Sequence, residues 1–209
     1  MNSTRHPRPS DESAPALLPL QASLPLLGIA AWSGTGKTTL LEALLPRLAE
    51  RGLRVAVIKH AHHTFDVDQP GKDSHRLRQA GAAPMLVASR ARLALMMETP
   101  DQQEPDLAEL VALVATQRPD LVLVEGFKAW PLPKLELHRP ALGKPLRVVE
   151  DPWVKAVASD APLALPEGVE ALDLNDLAAL ADWIAAWPAR WPRERRPRAL
   201  DPAQGVTSP

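Results

Sequence analysis

The chain has 209 residues, of which 45% are hydrophobic, so it is long enough for one well-buried core but short for two domains of ordinary size. Its 24 basic and 25 acidic residues nearly balance, and a net charge of -1 gives no support to general binding of nucleic acid or of an anionic membrane. No apolar run approaches the length needed to cross a bilayer. The sequence contains no cysteine, which excludes disulfides and thiolate metal sites and suits the reducing cytoplasm, where we expect the protein.

The two ends of the chain differ in composition from its middle. Residues 1–24 and 188–209 hold many of the 23 prolines and show no hydrophobic period. Both are therefore predicted to be disordered, as a leader and a tail around one domain at 25–187. The C-terminal segment is rich in arginine and contains Trp191, which leaves open that it is a docking peptide.

Between the ends, apolar runs of strand length alternate with segments of helical period. This alternation predicts an α/β fold with a mostly parallel sheet flanked by helices. Buried strands are predicted at 26–30, 55–58, 121–124 and 156–158. Helices are predicted over the leucine stripe at 40–48 and at 73–80, 106–117 and 176–187, the last with Asn175 as its N-cap.

Two further segments are predicted to form antiparallel hairpins added to this sheet. The first pairs 85–88 with 93–97, and the second pairs 135–137 with 146–149 around a proline-rich loop. An exposed hairpin edge invites pairing with another subunit, although it can equally be covered within the monomer.

A glycine-rich loop between the first strand and the first helix is the strongest functional signal. Residues 31–38 read AWSGTGKT, a phosphate-binding loop in which Ala31 takes the place of the usual first glycine. Such a loop directs backbone N–H groups at a triphosphate, its lysine reaches the outer phosphates, and its threonine hydroxyl binds Mg²⁺. The sequence therefore predicts a P-loop NTPase-like nucleotide site formed by Gly34, Thr35, Gly36, Lys37, Thr38 and Thr39.

A carboxylate follows the predicted strand at 121–124. Glu125 would lie at the end of a strand that neighbours the phosphate loop, where it can hold Mg²⁺ directly or through water together with Thr38. The alternative is that Glu125 merely caps the loop that follows.

Five blocks of the sequence together are similar to one known family. They read AAWSGTGKTTLL, IKHAHHTFDVDQPGKDSHRLRQAGA, DLVLVEGFK, PKLEL and AVASD, and they occur in this order between about Pro25 and Trp187. The phosphate loop is common to very many proteins, but the long second block is specific. The chain resembles the adapter proteins of molybdopterin-guanine dinucleotide biosynthesis, the MobB family.

The resemblance implies a GTP-binding protein with weak GTPase activity. It also implies a homodimer that assists the guanylyltransferase which attaches GMP to molybdopterin, with molybdopterin itself as a further candidate partner. Two other classes fit a phosphate loop: a small-molecule kinase, and a GTP-driven metallochaperone suggested by a cluster of histidines.

That cluster and two aspartates lie in the second block, after the strand at 55–58, which we expect beside the phosphate-loop strand. Asp66 and Asp68 share a face if the segment is extended, and a carboxylate at this position can orient the attacking water, so both are predicted to be catalytic. The alternative is a pair of solvated loop residues, and we expect Arg78 on the exposed side of the next helix. The histidines, His60, His62 and His63, fit a polar site for phosphate or pterin better than a metal site.

Asp160 is the candidate for recognition of guanine. The N1–H and the N2 amino group of guanine can both donate to one carboxylate, and Asp160 ends the apolar run at 156–159. The usual GTPase signature has a lysine two residues earlier, where Ala158 stands here. The alternative is that Asp160 caps a turn.

Overall fold

The structure, a computed structural model, describes residues 24–61, 65–100, 102 and 104–199. Most of the predicted leader and the last ten residues of the predicted tail therefore lie outside the described residues. The chain divides into two compact units: an inserted unit at His60–Asp106, and a sheet unit made of the sequence on both sides of it. No helix in the described part is long and apolar enough to cross a membrane.

The helices and strands largely follow the predicted alternation. Two short 3-10 helices, Pro140–Leu142 and Arg147–Val149, accompany the main elements. The strands and α-helices, in chain order, are β1 (Leu26–Ala31), α1 (Lys37–Glu50), β2 (Val55–Lys59), α2 (Asp73–Gln79), β3 (Met85–Ala88), β4 (Leu93–Met96), α3 (Leu107–Ala115), β5 (Leu121–Glu125), β6 (Lys134–His138), β7 (Val154–Ser159), β8 (Glu170–Asp173), α4 (Leu177–Ala185) and α5 (Trp187–Glu194).

A six-stranded parallel sheet forms the centre of the sheet unit, with the strand order β2-β5-β1-β6-β7-β8. All six residues of β1 are buried, as a parallel strand covered on both faces requires. Four leucines of α1 recur with helical period and are buried, namely Leu40, Leu41, Leu44 and Leu48, and each contributes roughly 1.5–3 kcal/mol. The prediction of a mostly parallel sheet flanked by helices is confirmed.

Two details of the predicted sheet are wrong. The strand β2 is not the neighbour of β1, because β5 lies between them. The edge strand β8 was not predicted, since its four residues, EALD, are short and mostly exposed.

The second predicted hairpin is also wrong. Its first arm is β6, a parallel strand between β1 and β7, and its second arm contains a 3-10 helix. The polar residues that alternate along β6 look like a solvent-facing pattern, but Lys134 and Glu136 are buried with partners. Nζ of Lys134 lies 2.9 Å from Oδ2 of Asp151, and the Glu136 carboxylate accepts the backbone N–H groups of Arg147 and Val148.

The predicted disordered tail does not begin at residue 188, because α5 continues to Glu194. Trp187 and Trp191 are buried, and Nε1 of Trp187 donates to the carbonyl oxygen of Leu26 over 2.8 Å. A proline near the start of a helix costs no hydrogen bond, so Pro188 does not stop the chain from being helical. The preceding α4 is capped by Asp176 and not by the predicted Asn175.

The inserted unit contains α2 and the first predicted hairpin. The hairpin is confirmed, but it forms a two-stranded sheet of its own and does not extend the six-stranded sheet. β3 and β4 are antiparallel, with Met85 opposite Met96, and the backbone N–H of Ser89 donates to the carbonyl of Arg92 across the turn. Several apolar side chains of this hairpin are exposed, namely Leu86, Val87, Leu93 and Leu95.

Candidate nucleotide-binding site

The phosphate loop lies between β1 and α1, as predicted. Gly34 and Gly36 have φ angles of 83° and 94°, in the left-handed region that favours glycine. The hydroxyl of the buried Thr35 donates to the carbonyl of Trp32 over 2.8 Å and closes the loop on itself. Because α1 begins at Lys37 with no side-chain cap from the described residues, its first N–H groups are available to an anion.

Lys37 lies among other charged groups. Burial is the main cause that lowers the pKa of Lys37, and the carboxylate of Glu125 opposes this effect. Three further cations are close enough to lower the pKa of Lys37 in addition: Lys128, Lys59 and Arg147. The loop thus gathers more positive charge than the nearby carboxylate offsets, which suits a polyphosphate.

Glu125 lies at the carboxyl end of β5, next to the strand that leads into the phosphate loop. In the parallel register it is opposite Ile29 of β1 and Lys59 of β2. Its side chain is 13% exposed, and its Oε2 lies 3.7 Å from Nζ of Lys59. This position meets the geometric requirement for sharing a cation with the exposed Thr38, and Mg²⁺ binding stays a prediction.

Arg139, which follows β6, connects the phosphate loop to Asp160. Its Nε donates to the carbonyl oxygen of Thr35 over 3.0 Å, and its Nη1 donates to Oδ2 of Asp160 over 2.5 Å. Asp160 follows β7, and its side chain is 25% exposed. A guanine base would therefore share this carboxylate with Arg139 or displace it.

Two cavities adjoin this link. One of about 440 Å³ is lined by Gly36 and Thr39 together with Arg139 and Asn175, so it borders the phosphate loop and the first turn of α1. The other, of about 310 Å³, is lined by Asp160 and again by Asn175. Both volumes are in the range of small-molecule sites. Asp160 lines the second cavity and not the one that borders the phosphate loop, whereas Asn175 lines both.

Asp66 and Asp68 lie in the inserted unit, where both bind Arg78 of α2. Nη2 of Arg78 donates to Oδ1 of Asp66 over 2.5 Å and to Oδ1 of Asp68 over 2.9 Å, and Nη1 lies 3.4 Å from Glu98. The hydrogen bond from Arg78 is the main cause that holds the pKa of Asp68 below its usual value. The Arg78 side chain is only 14% exposed, so its predicted position on the exposed side of the helix is wrong.

The histidines give no metal site within the described residues. His62 and His63 lie outside those residues, and Nε2 of His60 is 3.3 Å from Oε2 of Glu104. Where side chains are described, no group of three or more histidine and carboxylate residues is placed to hold a metal ion.

Three residues near the loop were missed in the sequence: Arg139, Asn175 and Arg147. Arg139 directly follows a strand, and this position at the carboxyl end of the sheet is the signal that could have marked it. Asn175 was read only as a helix cap. The guanidinium of Arg147 lies 4.3 Å from the ring centroid of Trp32, but its segment had been assigned to a hairpin strand.

Known proteins are similar to this chain over most of its length. Residues 26–160 match the family model described as molybdopterin guanine dinucleotide synthesis protein B, MobB. The chain is 54% identical over 165 residues to the molybdopterin-guanine dinucleotide biosynthesis adapter protein of Escherichia coli (strain K12), which covers 78% of this chain and 93% of that protein. It is 47% identical to the protein of the same name from Haemophilus influenzae, over 78% of this chain and 89% of that protein.

Solved structures of the same family share the fold. A crystal structure of Bacillus subtilis MobB matches with a TM-score of 0.61 at 25% identity, over 78% of this chain and 98% of that one. A crystal structure of molybdopterin-guanine biosynthesis protein B matches with a TM-score of 0.58 at 27% identity, over 77% of this chain and 98% of that one. On the sequence match, the relatives and the fold together, the chain belongs to the MobB family of molybdopterin guanine dinucleotide synthesis proteins.

Proposed function

We propose that this protein binds GTP with Mg²⁺ and serves as an adapter for the guanylyltransferase that attaches GMP to molybdopterin. The observation that carries the proposal is the phosphate loop, with its two left-handed glycines and the uncapped start of α1 at Lys37. The adapter role follows from the family, since relatives from two bacteria bear the name of a molybdopterin-guanine dinucleotide biosynthesis adapter.

The triphosphate occupies the loop in this proposal. The backbone from Gly34 to Thr39 surrounds the phosphates, Lys37 binds the outer ones, and Thr38 and Glu125 hold Mg²⁺ between them. The support is electrostatic, because Lys37 has further cations near it and Glu125 is the carboxylate that acts on it.

Asp160 reads the guanine base in this proposal. Its support is the link through Arg139, which bonds to the phosphate loop on one side and to the Asp160 carboxylate on the other. Binding of the base to both carboxylate oxygens would move Arg139 away from one of them, and Asn175 lines both adjoining cavities.

Hydrolysis is slow in this proposal, as an adapter permits. Asp66 and Asp68 are the proposed catalytic carboxylates, and both are bonded to Arg78, which limits their freedom to orient water. The Asp66 side chain is 52% exposed and that of Asp68 is 5% exposed, so Asp66 is the one that water can reach. An Asp66→Asn variant should hydrolyse GTP more slowly while binding it equally well.

The exposed apolar hairpin supports a protein partner. Leu86, Leu93 and Leu95 form an apolar patch of the kind found at interfaces, either with a second copy in a homodimer or with the transferase. A chain without cysteine fits the reducing cytoplasm, where we place the complex.

The test is a set of titrations by calorimetry. GTP should bind at least about tenfold more tightly than ATP, a difference of about 1.4 kcal/mol, and Mg²⁺ should strengthen the binding. The same protein with purified guanylyltransferase and molybdopterin should form a complex and raise the yield of the dinucleotide. Equal binding of ATP and GTP would contradict guanine recognition and favour a small-molecule kinase. If the transferase neither binds the protein nor gives more dinucleotide in its presence, the adapter role is contradicted.

A further inference from the structure

The five residues that follow α5, 195–199, form a strap against β7. Four of them are exposed, and they belong to no helix or strand. Lys155 of β7 fixes the start of the strap, because its Nζ donates to the carbonyl oxygen of Arg196 over 2.5 Å and lies 3.6 Å from Oε2 of Glu194. Residues 26–160 match the family model, so the strap lies outside that match and the family assignment does not explain it.

Arg198, the half-buried residue of the strap, binds the loop between β6 and β7 at two points. Its backbone N–H donates to the carbonyl oxygen of Pro152 over 2.7 Å, and its Nη2 donates to that of Val148 over 2.6 Å. The second of these bonds has a charged donor, which makes it stronger than a bond between neutral groups. Arg198 therefore ties the strap to the β6–β7 loop, residues 139–153.

The same loop contacts the phosphate loop through the side chain of Trp32. Nε1 of Trp32 donates to the carbonyl oxygen of Pro145 over 2.8 Å, and the guanidinium of Arg147 lies 4.3 Å from the centroid of the indole ring. The carbonyl oxygen of Trp32 in turn accepts the hydroxyl of Thr35, which closes the phosphate loop. A displacement of the β6–β7 loop would therefore reach the phosphate loop through one residue.

Val148 lies between a fixed group and the strap. Its backbone N–H donates to the fully buried carboxylate of Glu136 over 2.9 Å, and its carbonyl oxygen accepts Nη2 of Arg198. The preceding residue, Arg147, is the one that stacks on Trp32, and its charge is among those that lower the pKa of Lys37. The strap thus holds the open side of the segment that carries Arg147.

We propose that Arg198 is a positioning residue for nucleotide binding, which holds the β6–β7 loop against Trp32 and so keeps the phosphate loop in its binding conformation. Arg198 touches no ligand and acts through Val148, Arg147 and Trp32. The inference rests on the proposed function, because a nucleotide in the phosphate loop reports the effect. An exposed strap can detach without unfolding of the core, which gives the C-terminal segment a means of changing nucleotide affinity.

The first test is a calorimetric titration with GTP and Mg²⁺. Arg198→Ala should bind GTP about fivefold more weakly than the parent, equivalent to about 1 kcal/mol. Arg196→Ala is the matched control, since it removes a positive charge from an exposed side chain of the strap but keeps the carbonyl that Lys155 binds, and it should bind GTP like the parent. Unchanged affinity in Arg198→Ala, or an equal loss in both variants, would overturn the proposal.

A double-mutant cycle tests the path from the strap to the phosphate loop. Trp32→Ala removes the indole that contacts both Pro145 and Arg147. In this background Arg198→Ala should change GTP affinity by less than about twofold, because the strap no longer acts on the phosphate loop. If Arg198→Ala again weakens binding by the same factor as in the parent, the path through Trp32 is wrong.

The indole N–H of Trp32 gives a readout that needs no nucleotide. Its NMR signal, assigned with Trp32→Phe, should shift and exchange faster with solvent in Arg198→Ala and stay unchanged in Arg196→Ala. A lower melting temperature with an unchanged signal would make Arg198 a merely structural residue and overturn the proposal. If the parent binds no GTP, the proposed function fails, but the indole signal still decides whether Arg198 holds the loop on Trp32.

Discussion

The carboxylates of the two units have opposite surroundings. In the sheet unit, Glu125 lies 3.7 Å from Lys59 and near Lys37, and the cations around it outnumber it. In the inserted unit, Asp66 and Asp68 outnumber the single Arg78 that binds them both. An excess of positive charge that the protein leaves unbalanced marks a site for an anion, whereas the charge of a cation enclosed by carboxylates is already matched within the fold. If this contrast holds, substitutions near Lys37 should change anion binding, and substitutions around Arg78 should change stability.

The largest effect is expected for the lysine of the phosphate loop. Lys37→Ala should lower the affinity for GTP by about a hundredfold, at the upper end for hydrogen bonds to charged groups, because the phosphates lose their central cation. The unfolding temperature should not fall, since burial already disfavours the charged lysine in the folded protein. Calorimetry and a thermal melt measure both, with Arg193→Ala as the control for loss of one positive charge. If the variant binds GTP as tightly as the parent does, the assignment of the nucleotide site to this loop is wrong.

The next effect is a change of base specificity. Asp160→Asn replaces one acceptor oxygen with a donor amide, so GTP should bind more weakly by roughly 1.5–3 kcal/mol. Xanthine has a carbonyl in place of the amino group of guanine, and xanthosine triphosphate should therefore bind the variant better than it binds the parent.

Paired titrations of both nucleotides on both proteins decide this. Arg139 already donates to Oδ2 of Asp160, so a base that binds there would have to share this carboxylate with Arg139 or displace it. Unchanged affinity for GTP, with no gain for the xanthine analogue, would assign base recognition to another group lining the cavity, such as Asn175.

A smaller effect is expected for the metal. Glu125→Gln removes the charge that would hold Mg²⁺ but keeps the side-chain length, so the gain in GTP affinity that Mg²⁺ brings should shrink. Affinity measured in EDTA should change much less. An equal loss with and without Mg²⁺ would give Glu125 a structural role, through its contact with Lys59.

The parts of the site that could be predicted from the sequence are those fixed by local geometry. The loop around Lys37 is fixed by the strand before it, its two glycines and the start of the helix after it. Glu125 is fixed by its position at the end of an apolar strand. Neither position depends on contacts with distant residues. Arg139 acquires its role only through contacts more than a hundred residues away on one side and about twenty on the other. Its position directly after a strand could have marked Arg139 as a candidate, but no local pattern identifies these two partners.

The mistaken elements share a different cause. The strand β6 has polar residues at alternate positions, which predicts an exposed face, but Lys134 and Glu136 are buried because distant partners satisfy them. The helix α5 contains two prolines and two arginines, which predicts disorder, but Trp187 and Trp191 pack into the core. In both cases tertiary contacts outweigh the local preference of the sequence.

The smallest effect concerns acid stability of the inserted unit. Because Arg78 lowers the pKa of Asp68 in the folded protein, the charged carboxylate stabilises the fold above the unfolded pKa, about 3.9, and this contribution is lost as the pH falls through the folded value. The parent should therefore melt a few degrees above Asp68→Asn at neutral pH, and the difference should narrow below about pH 4. Asp66→Asn, which removes an exposed carboxylate but keeps the bond between Arg78 and Asp68, is the matched control and should cost less. Thermal melts of the three proteins across the acid range measure this effect. If the difference in melting temperature between the parent and Asp68→Asn is independent of pH, the stabilising contact between Arg78 and Asp68 does not depend on the charge of Asp68.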